Sequence, residues 1–346
     1  MNQYNRLLDP KKDIGRYSGT LAIYLLIMTL VTVLWEVLLG LTIAGSLRKD
    51  PSQVTEKLNA LNVWAGIPYL ISISIGLFLF NAYRKKALYK YDLKHKGRKM
   101  TLSVFFILLA FLGFSQVFSS VMTQVIERMF ETIGLHSPTP DLGDTIERSW
   151  TMLLYAGFFG PITEEFFFRG AGLRGLERYG KIFAIVMTAI LFGLFHANFD
   201  QLFFASIIGL GFGYIAFEYN IWWAIFYHIF NNFVISQGLH YVAYHVDEGL
   251  ANWLQIGVLA IGSIVMIVVL ATKWPAIKAY IQANKPQPGV FQRALASFWF
   301  WFFVLFTILM SIVPYVIPIF QMANLKGWGC KVGYIQLRGK RLSFLI

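Results

Sequence analysis

The chain has little charge and almost no cysteine. Asp, Glu, Lys and Arg make up 14% of its 346 residues, whereas roughly a quarter of the residues of an average soluble protein are charged. The single cysteine, Cys330, excludes an internal disulfide and a cysteine-rich metal site. Hydrophobic residues make up 57% of the chain, and a soluble core cannot bury so much apolar surface. The composition therefore indicates a lipid bilayer as the main solvent.

Acidic residues are too few to balance the basic ones, and the formal net charge is +12. In a soluble protein this charge would suggest a nucleic-acid partner. Here the basic residues lie in loops beside apolar segments, where anionic lipid and the positive-inside bias explain them. We therefore expect a lipid bilayer as the partner and no nucleic acid.

Long apolar segments are abundant, and about 20 apolar helical residues are needed to span a bilayer. The first segment, 17–44, is too long for a cleavable signal sequence, so we expect it to be retained. The pattern predicts an all-α, polytopic transmembrane helix bundle with about 8–9 membrane segments. The candidate segments are 18–44, 62–83, 101–125, 150–168, 182–196, 202–218, 221–237, 253–272 and 297–320.

Loop charge predicts the orientation of these segments. The loop 84–99 contains eight basic residues and one acidic residue, so we expect it, together with the N-terminus, to be cytoplasmic. The basic loops 169–181 and 273–293 fall on the same side by parity. The stretch 122–150, which contains the acidic residues Asp141, Asp144 and Glu147, falls outside.

Ionisable residues inside apolar segments cost roughly 2.5 to 3.5 kcal/mol each on insertion scales and require a reason. Glu165 and Arg169 are four residues apart, so they share one helical face and can form an ion pair. Glu164 is rotated by about 100° from Glu165 and faces another surface. It is a carboxylate available for chemistry, although a purely structural ion pair is the alternative interpretation of this group.

Two further apolar segments contain histidine. Phe192 and His196 lie one turn apart at the end of a short apolar segment, and His228 and Asn232 share one face of a later segment. The short segment, 182–195, has 14 apolar residues before the polar tip 196–201. A helical hairpin with its tip inside the membrane needs protein or water around its backbone. We therefore expect a hydrated cavity within the bilayer.

These residues form three ordered motifs, namely Glu164-Glu165-x-x-x-Arg169, Phe192-x-x-x-His196 and His228-x-x-x-Asn232. The set resembles the motifs of the CPBP intramembrane peptidases, also called the CAAX-protease or Abi family. The resemblance implies a multi-pass membrane protein, of the bacterial cell membrane in our interpretation, with a membrane-associated peptide or protein as substrate. The domains then expected are a cytoplasmic N-terminus at 1–17, N-terminal helices at 18–144, a CPBP-like catalytic core at 145–240, C-terminal helices at 241–323 and a basic tail at 324–346.

The resemblance implies peptide hydrolysis by an activated water. Glu164 would be the general base and His196 would hold the water, while His228 and Asn232 would stabilise the oxyanion. Glu165, Arg169 and Phe192 would be supporting residues. No cofactor is expected. Zinc held by the histidines and a carboxylate remains an alternative, but the His-Glu-x-x-His signature is absent from the sequence, and we favour a metal-independent mechanism.

The family likeness leaves the substrate open, because a fold or motif does not fix it. Prenylated C-termini and pheromone or bacteriocin precursors are the candidates. A non-catalytic membrane regulator, or a bacteriocin self-immunity protein on the same scaffold, is the alternative function. A proton-coupled transporter could also use buried Glu and His, but the sequence shows no repeated halves.

Overall fold

The computed structural model describes residues 9–47, 54–135, 149–327, 332–337 and 340–345. Two helices in the described part are composite, because α-helical, π-helical and 3-10 turns follow one another without a break: α6 over residues 150–179 and α9 over residues 221–245. The other elements are α1 (Pro10–Leu47), α2 (Val54–Asn62), α3 (Ile67–Arg84), α4 (Lys86–Lys90), a 3-10 turn (Asp92–Lys94), α5 (Leu102–Thr132), α7 (Lys181–Phe195), α8 (Phe199–Glu218), α10 (Glu248–Ala283), α11 (Val290–Leu295), α12 (Phe298–Gly327), β1 (Val332–Leu337) and β2 (Lys340–Leu345).

The predicted all-α polytopic bundle is confirmed. Six helices within the described ranges are long and apolar enough to cross a membrane. The helix α7 is apolar but shorter, as its 14 apolar residues predict. The remaining predicted segments, 150–168 and 221–237, are helical but interrupted by π turns, so the number of full crossings stays a prediction. The six are Pro10–Gly45, Ala60–Arg84, Leu102–Thr132, Phe199–Glu218, Gly249–Ala283 and Phe298–Val316.

Polar side chains begin several of these helices. Thr101 accepts a hydrogen bond from the backbone N–H of Val104 at the start of α5, and Asn220 accepts one from Trp223 at the start of α9. Such caps satisfy donors that the first helical turn leaves unpaired. The apolar run that follows each cap is therefore free to be helical from its first residue.

The first helix begins earlier than predicted, at Pro10 rather than at 18. Proline is favoured in the first helical turn because its missing N–H is not needed there. Asp13 forms an ion pair with Arg178 and accepts a hydrogen bond from the hydroxyl of Tyr179, while Ile14 is fully buried. These contacts hold the polar first turn of α1 against the end of α6.

The predicted basic loop 169–181 is wrong, because α6 continues to residue 179, α7 begins at Lys181, and Arg169 lies inside the bundle. The chain reverses at Gly180, whose φ of +117° suits glycine and whose position against Pro286 leaves little room for a Cβ. Glu164 and His196 each lie 16 residues from this turn. At 1.5 Å per residue both are about 24 Å from it, and therefore level.

The ends of several helices meet at the side that contains loop 84–99. Glu218, the last residue of α8, forms ion pairs with Arg98 and Lys181 and accepts a hydrogen bond from Tyr280 of α10. The backbone of Gly97 also donates to Tyr219. The predicted basic segments 84–99, 169–181 and 273–293 therefore meet at one end of the bundle, and their cytoplasmic orientation stays a prediction. The predicted loop 273–293 is wrong in its first part, because α10 continues to Ala283. The acidic residues Asp141, Asp144 and Glu147 lie outside the described residues.

The helices α7 and α8 form the tightest pair in the centre of the bundle. A Cβ at Gly209 would lie 3.1 Å from the Cα of Ala189, and one at Gly213 would lie 3.2 Å from the side chain of Ile185. Small residues allow helix backbones to approach closely in membranes. The hairpin therefore packs as one unit, with its tip at the end where α7 reaches His196.

The basic tail contains secondary structure that the sequence analysis did not predict. The helix α12 continues to Gly327 instead of ending at 320, and β1 and β2 then pair antiparallel with Val332 opposite Leu345. The all-α class holds for the membrane bundle, and this two-stranded ribbon lies after it in the chain.

Candidate active site

A cavity of about 680 Å³ opens inside the bundle, where the hairpin tip meets α5, α6 and α9. It is lined by the four predicted catalytic residues, Glu164, His196, His228 and Asn232, and by the predicted supporting residue Phe192. The cavity that the short helix predicts is therefore confirmed, and its water content stays a prediction. A larger groove of about 870 Å³ runs between α1, α3 and the start of α12 and contains none of these residues.

The supporting pair lies behind the cavity and is buried completely. Glu165 Oε1 is 3.2 Å from Arg169 Nη1, and both side chains are 0% exposed. Arg169 also donates a hydrogen bond to the backbone oxygen of Gly209 at 3.3 Å. Its guanidinium lies 4.4 Å from the ring centre of Phe192 and 5.5 Å from that of Phe212. Aromatic faces stabilise a cation that has been removed from water.

His228 connects the supporting pair to the cavity. Its Nδ1 lies 2.8 Å from Glu165 Oε1, and since a carboxylate accepts, Nδ1 is the donor. Its Nε2 lies 3.7 Å from Glu164 Oε2, which is longer than a hydrogen bond. The sequence places Glu164 and Glu165 on different faces, and the structure places them at opposite nitrogens of one imidazole. The rings of Phe192 and His228 are nearly perpendicular, and their centres lie 5.7 Å apart.

Glu164 is the carboxylate that faces the cavity. Its side chain is 16% exposed, whereas that of Glu165 is not exposed at all. The predicted division between a paired and an available glutamate is therefore present. An acceptor oxygen that is partly shielded from water and close to a histidine suits a general base.

His196 reaches the same cavity from the end of α7. Its Nδ1 lies 2.8 Å from the backbone oxygen of Phe192, one turn earlier. A carbonyl oxygen can only accept, so Nδ1 carries the proton and Nε2 has the lone pair in the neutral ring. The helical spacing of Phe192 and His196 thus fixes the tautomer of the imidazole. A nitrogen with a lone pair can accept a proton of a bound water.

Asn232 is held by hydrogen bonds on both sides of its amide. Its Nδ2 donates to the backbone oxygen of Ala156 at 3.0 Å, and its Oδ1 accepts from Asn231 Nδ2 at 3.0 Å. Asn231 in turn accepts from Gln116 Nε2 at 3.3 Å. The second N–H of Asn232 remains for the cavity, which is the donor that an oxyanion requires.

In α6, π-helical turns lie on each side of Glu164 and Glu165, and in α9 one π-helical segment follows His228 and contains Asn232. In α6 these turns are Tyr155–Phe159 and Phe166–Leu173, and in α9 they are Phe230–Gln237. The first of them precedes Pro161, which cannot donate a backbone hydrogen bond and would disrupt a regular α-helix. π turns are rare and occur often at functional sites. Periodicity alone did not predict them.

The geometry of the site also bears on whether its residues can bind a metal ion. In the described part of the chain, no group of three His, Cys, Asp or Glu side chains is placed to hold one. Glu164 and Glu165 face opposite nitrogens of His228, so these three groups do not converge on a common point. Metal independence stays a prediction.

Two residues of the site were missed by the sequence analysis, Gln116 and Asn231. Gln116 lines the cavity from α5, and Asn231 is buried beside Asn232. A signal was present in both cases, because an amide inside an apolar segment needs a hydrogen-bond partner. The partner could not be found without the tertiary structure, since 115 residues separate the two.

Comparison with known proteins gives two matches. Residues 146–234 match the family model of the Type II CAAX prenyl endopeptidase Rce1-like proteins. The resemblance to the CPBP family is confirmed. The matched segment contains all seven residues of the three motifs and lies within the predicted core at 145–240. Gln116 lies outside it.

The second match is a bacterial protein. The chain is 25% identical over 232 residues to the "Putative membrane peptidase YdiL" of Bacillus subtilis (strain 168), and the alignment covers 65% of this chain and 92% of the relative. No solved structure matches the chain. At the level of the family, these matches support a membrane-embedded protease that acts on a peptide substrate.

Proposed function

We propose that the protein is an intramembrane endopeptidase that hydrolyses peptide bonds of membrane-associated substrates. The observation that supports this proposal is the placement of Glu164, His196, His228 and Asn232 around one cavity inside the helix bundle. Peptide hydrolysis requires a base for the attacking water and donors for the oxyanion. Glu164 and His196 can act on the water, and His228 and Asn232 can donate to the oxyanion.

In the proposed mechanism, Glu164 and the lone pair of His196 hold one water molecule. Glu164 takes a proton from this water as the oxygen attacks the carbonyl carbon of the substrate. The carbonyl oxygen becomes the oxyanion and accepts a hydrogen bond from the free N–H of Asn232. The C–N bond then breaks, and the proton on Glu164 passes to the leaving amine. Water is consumed and no other reactant is needed.

His228 is the second oxyanion donor in this proposal. Its Nδ1 donates to Glu165, so Nε2 carries an N–H only when the ring is cationic. In the cationic ring both nitrogens are donors, and Nε2 lies on the side of Glu164 and the cavity, where it can donate a hydrogen bond to the oxyanion.

The substrates we propose are prenylated C-termini and pheromone or bacteriocin precursors. The matched family model describes proteins that act on prenylated CAAX sequences. The cavity wall adds apolar surface from α1, α7 and α8, including Leu25, Phe195 and Ile208, beside the polar groups. A chain segment with an attached lipid or an apolar side chain fits such a wall.

A cleavage assay with purified protein in detergent tests this proposal. We expect wild-type protein to cleave a farnesylated CAAX peptide or a pheromone-precursor peptide, each carrying a fluorophore and a quencher. Glu164→Ala and His196→Ala should each lower kcat/KM by at least about 100-fold, because each removes a group that acts on the water. Glu131→Ala is the matched control, since Glu131 is exposed at the end of α5.

The alternatives give different outcomes in the same experiment. Folded Glu164→Ala and His196→Ala variants that cleave the peptide as fast as wild type contradict the proposed roles of these residues. If wild-type protein cleaves no peptide and both variants keep the cellular phenotype, a non-catalytic regulator is favoured. Bacteriocin immunity is named by neither match and rests on the sequence resemblance alone. Activity that is lost after chelation and restored by zinc contradicts the metal-independent proposal.

A further inference from the structure

A chain of three hydrogen bonds links α5 to the proposed oxyanion donor. Gln116 Nε2 donates to Asn231 Oδ1 at 3.3 Å, Asn231 Nδ2 donates to Asn232 Oδ1 at 3.0 Å, and Asn232 Nδ2 donates to the Ala156 oxygen at 3.0 Å. The chain crosses from α5 through α9 to α6. Its first member lies outside the segment that matches the peptidase family.

One backbone carbonyl fixes the direction of all three bonds. The oxygen of Ala156 can only accept, so the amide of Asn232 must turn its nitrogen there and its oxygen to Asn231. Asn231 must then offer its nitrogen to Asn232 and its oxygen to Gln116. Gln116 is therefore required as a donor. The orientation of each amide follows from this order rather than from its shape, which is nearly symmetrical.

Burial makes this order hard to reverse. Asn231 is 1% exposed, and a flip of either asparagine would place two oxygens or two N–H groups against each other. A buried polar group without a partner costs about 1 to 3 kcal/mol. Gln116 itself lines the cavity and is partly exposed, so it is the position where the chain meets solvent or substrate.

We infer that Gln116 and Asn231 are positioning residues, which hold the amide of Asn232 so that one N–H faces the cavity. This inference rests on the proposed function, because it concerns the donor to the oxyanion. Gln116 acts through Asn231 and Asn232 and need not touch the substrate. The helix α5, which lies well before the three motifs in the sequence, then also has a role in the site.

Two substitutions of nearly equal size separate this role from packing. Gln116→Met keeps the length of the side chain and removes the donor, so Asn232 loses its fixed orientation. Gln116→Glu puts an acceptor in place of the donor. The nitrogen of Asn231 would then turn towards residue 116, and the directions of the hydrogen bonds to Asn232 would be disrupted. We expect kcat to fall about 3- to 10-fold in Gln116→Met, as for the loss of one hydrogen bond. It should fall further in Gln116→Glu.

The readout is the separation of kcat from KM for the peptide that wild-type protein cleaves. A positioning role leaves KM within about twofold, because the oxyanion exists only in the transition state. Gln124→Met and Gln124→Glu are matched controls on the exposed surface of the same helix and should retain wild-type kcat. A rise in KM at constant kcat, or wild-type kcat in Gln116→Glu, would overturn the inference.

A stability cycle tests the hydrogen-bond chain without any cleavage assay. Gln116→Met and Asn231→Leu are compared singly and together by thermal unfolding in detergent. Non-additive shifts of the melting temperature support direct coupling of the two amides. Additive shifts overturn the chain. If wild-type protein cleaves no peptide, the proposed function fails while this cycle still decides whether Gln116 and Asn231 are coupled.

Discussion

The helices α1 and α10 differ from the central helices α6 to α9 in what surrounds their side chains. In the apolar window of α10 only 11% of residues are buried in the protein, compared with 39% in α8. Large apolar residues such as Leu34, Trp253 and Ile261 are more than half exposed. By contrast, Phe168, Arg169 and Phe192 are almost completely buried.

This difference shows that hydrophobicity and packing are separate requirements in the protein. Most side chains of α10 and of the second half of α1 point away from the bundle, where a bilayer requires only apolar side chains over a sufficient length. The central helices must also satisfy ionisable groups and fit around a cavity. Their side chains should therefore be far less replaceable. Three substitutions test this contrast, from the largest expected effect to the smallest.

Arg169→Ala should have the largest effect. It leaves the carboxylate of Glu165 buried without its cation, which costs about 3 to 5 kcal/mol in comparable buried pairs. Arg178→Ala removes an ion pair that is half exposed at the bundle end, where about 0 to 1 kcal/mol is expected. Thermal unfolding in detergent measures both. Equal shifts of the two melting temperatures would show that burial does not decide what an ion pair of α6 contributes to stability.

Gly193→Ala should have an intermediate effect. A Cβ at Gly193 would collide with the backbone oxygen of Leu202 and with Ser206 in the facing helix α8, and overpacking of this kind costs about 1 to 3 kcal/mol. Gly257→Ala in α10 is the matched control, since nothing lies within 4 Å of the added Cβ. It should be neutral or stabilising because alanine favours helix more than glycine does. Comparable destabilisation in both variants would rule out tight packing as the cause.

Phe192→Leu should have the smallest of the three effects. It keeps an apolar side chain but removes the aromatic face 4.4 Å from the guanidinium of Arg169, for which about 1 to 2 kcal/mol is expected. Phe106→Leu on the exposed side of α5 should lie within about 0.5 kcal/mol of wild type. Chemical unfolding in mild detergent measures the difference, and a neutral Phe192→Leu would show that the cation does not depend on the ring.

Residue spacing predicted much of the site because local geometry decides it. Glu165 and Arg169 pair as an i, i+4 couple, and His196 bonds to the carbonyl one turn earlier. Both contacts lie within one helix. The sharing of His228 between Glu164 and Glu165 joins two helices and could not be obtained from spacing. The roles of these residues in catalysis stay predictions.

The level of Glu164 relative to His196 depends on the length of α6, which the sequence predicts as 150–168 and which is 150–179 in the structure. Segment 166–173 reads as the end of a span followed by a basic loop, because Arg169 and Arg174 mark a boundary in hydropathy. Burial of the Arg169 side chain between Glu165, Phe192 and Phe212 removes that boundary. The helix then continues to 179 and brings Glu164 level with His196.

The amino-acid sequence by itself determined that the protein is an α-helical membrane bundle with three polar motifs in apolar segments. Helix length, loop charge and i, i+4 spacing are local properties, so they can be read directly from the sequence. Only the tertiary structure decided that the motifs line one cavity, that His228 lies between two glutamates, and that Gln116 holds Asn231 from a distant helix. These contacts depend on the packing of separate helices, which no single segment specifies.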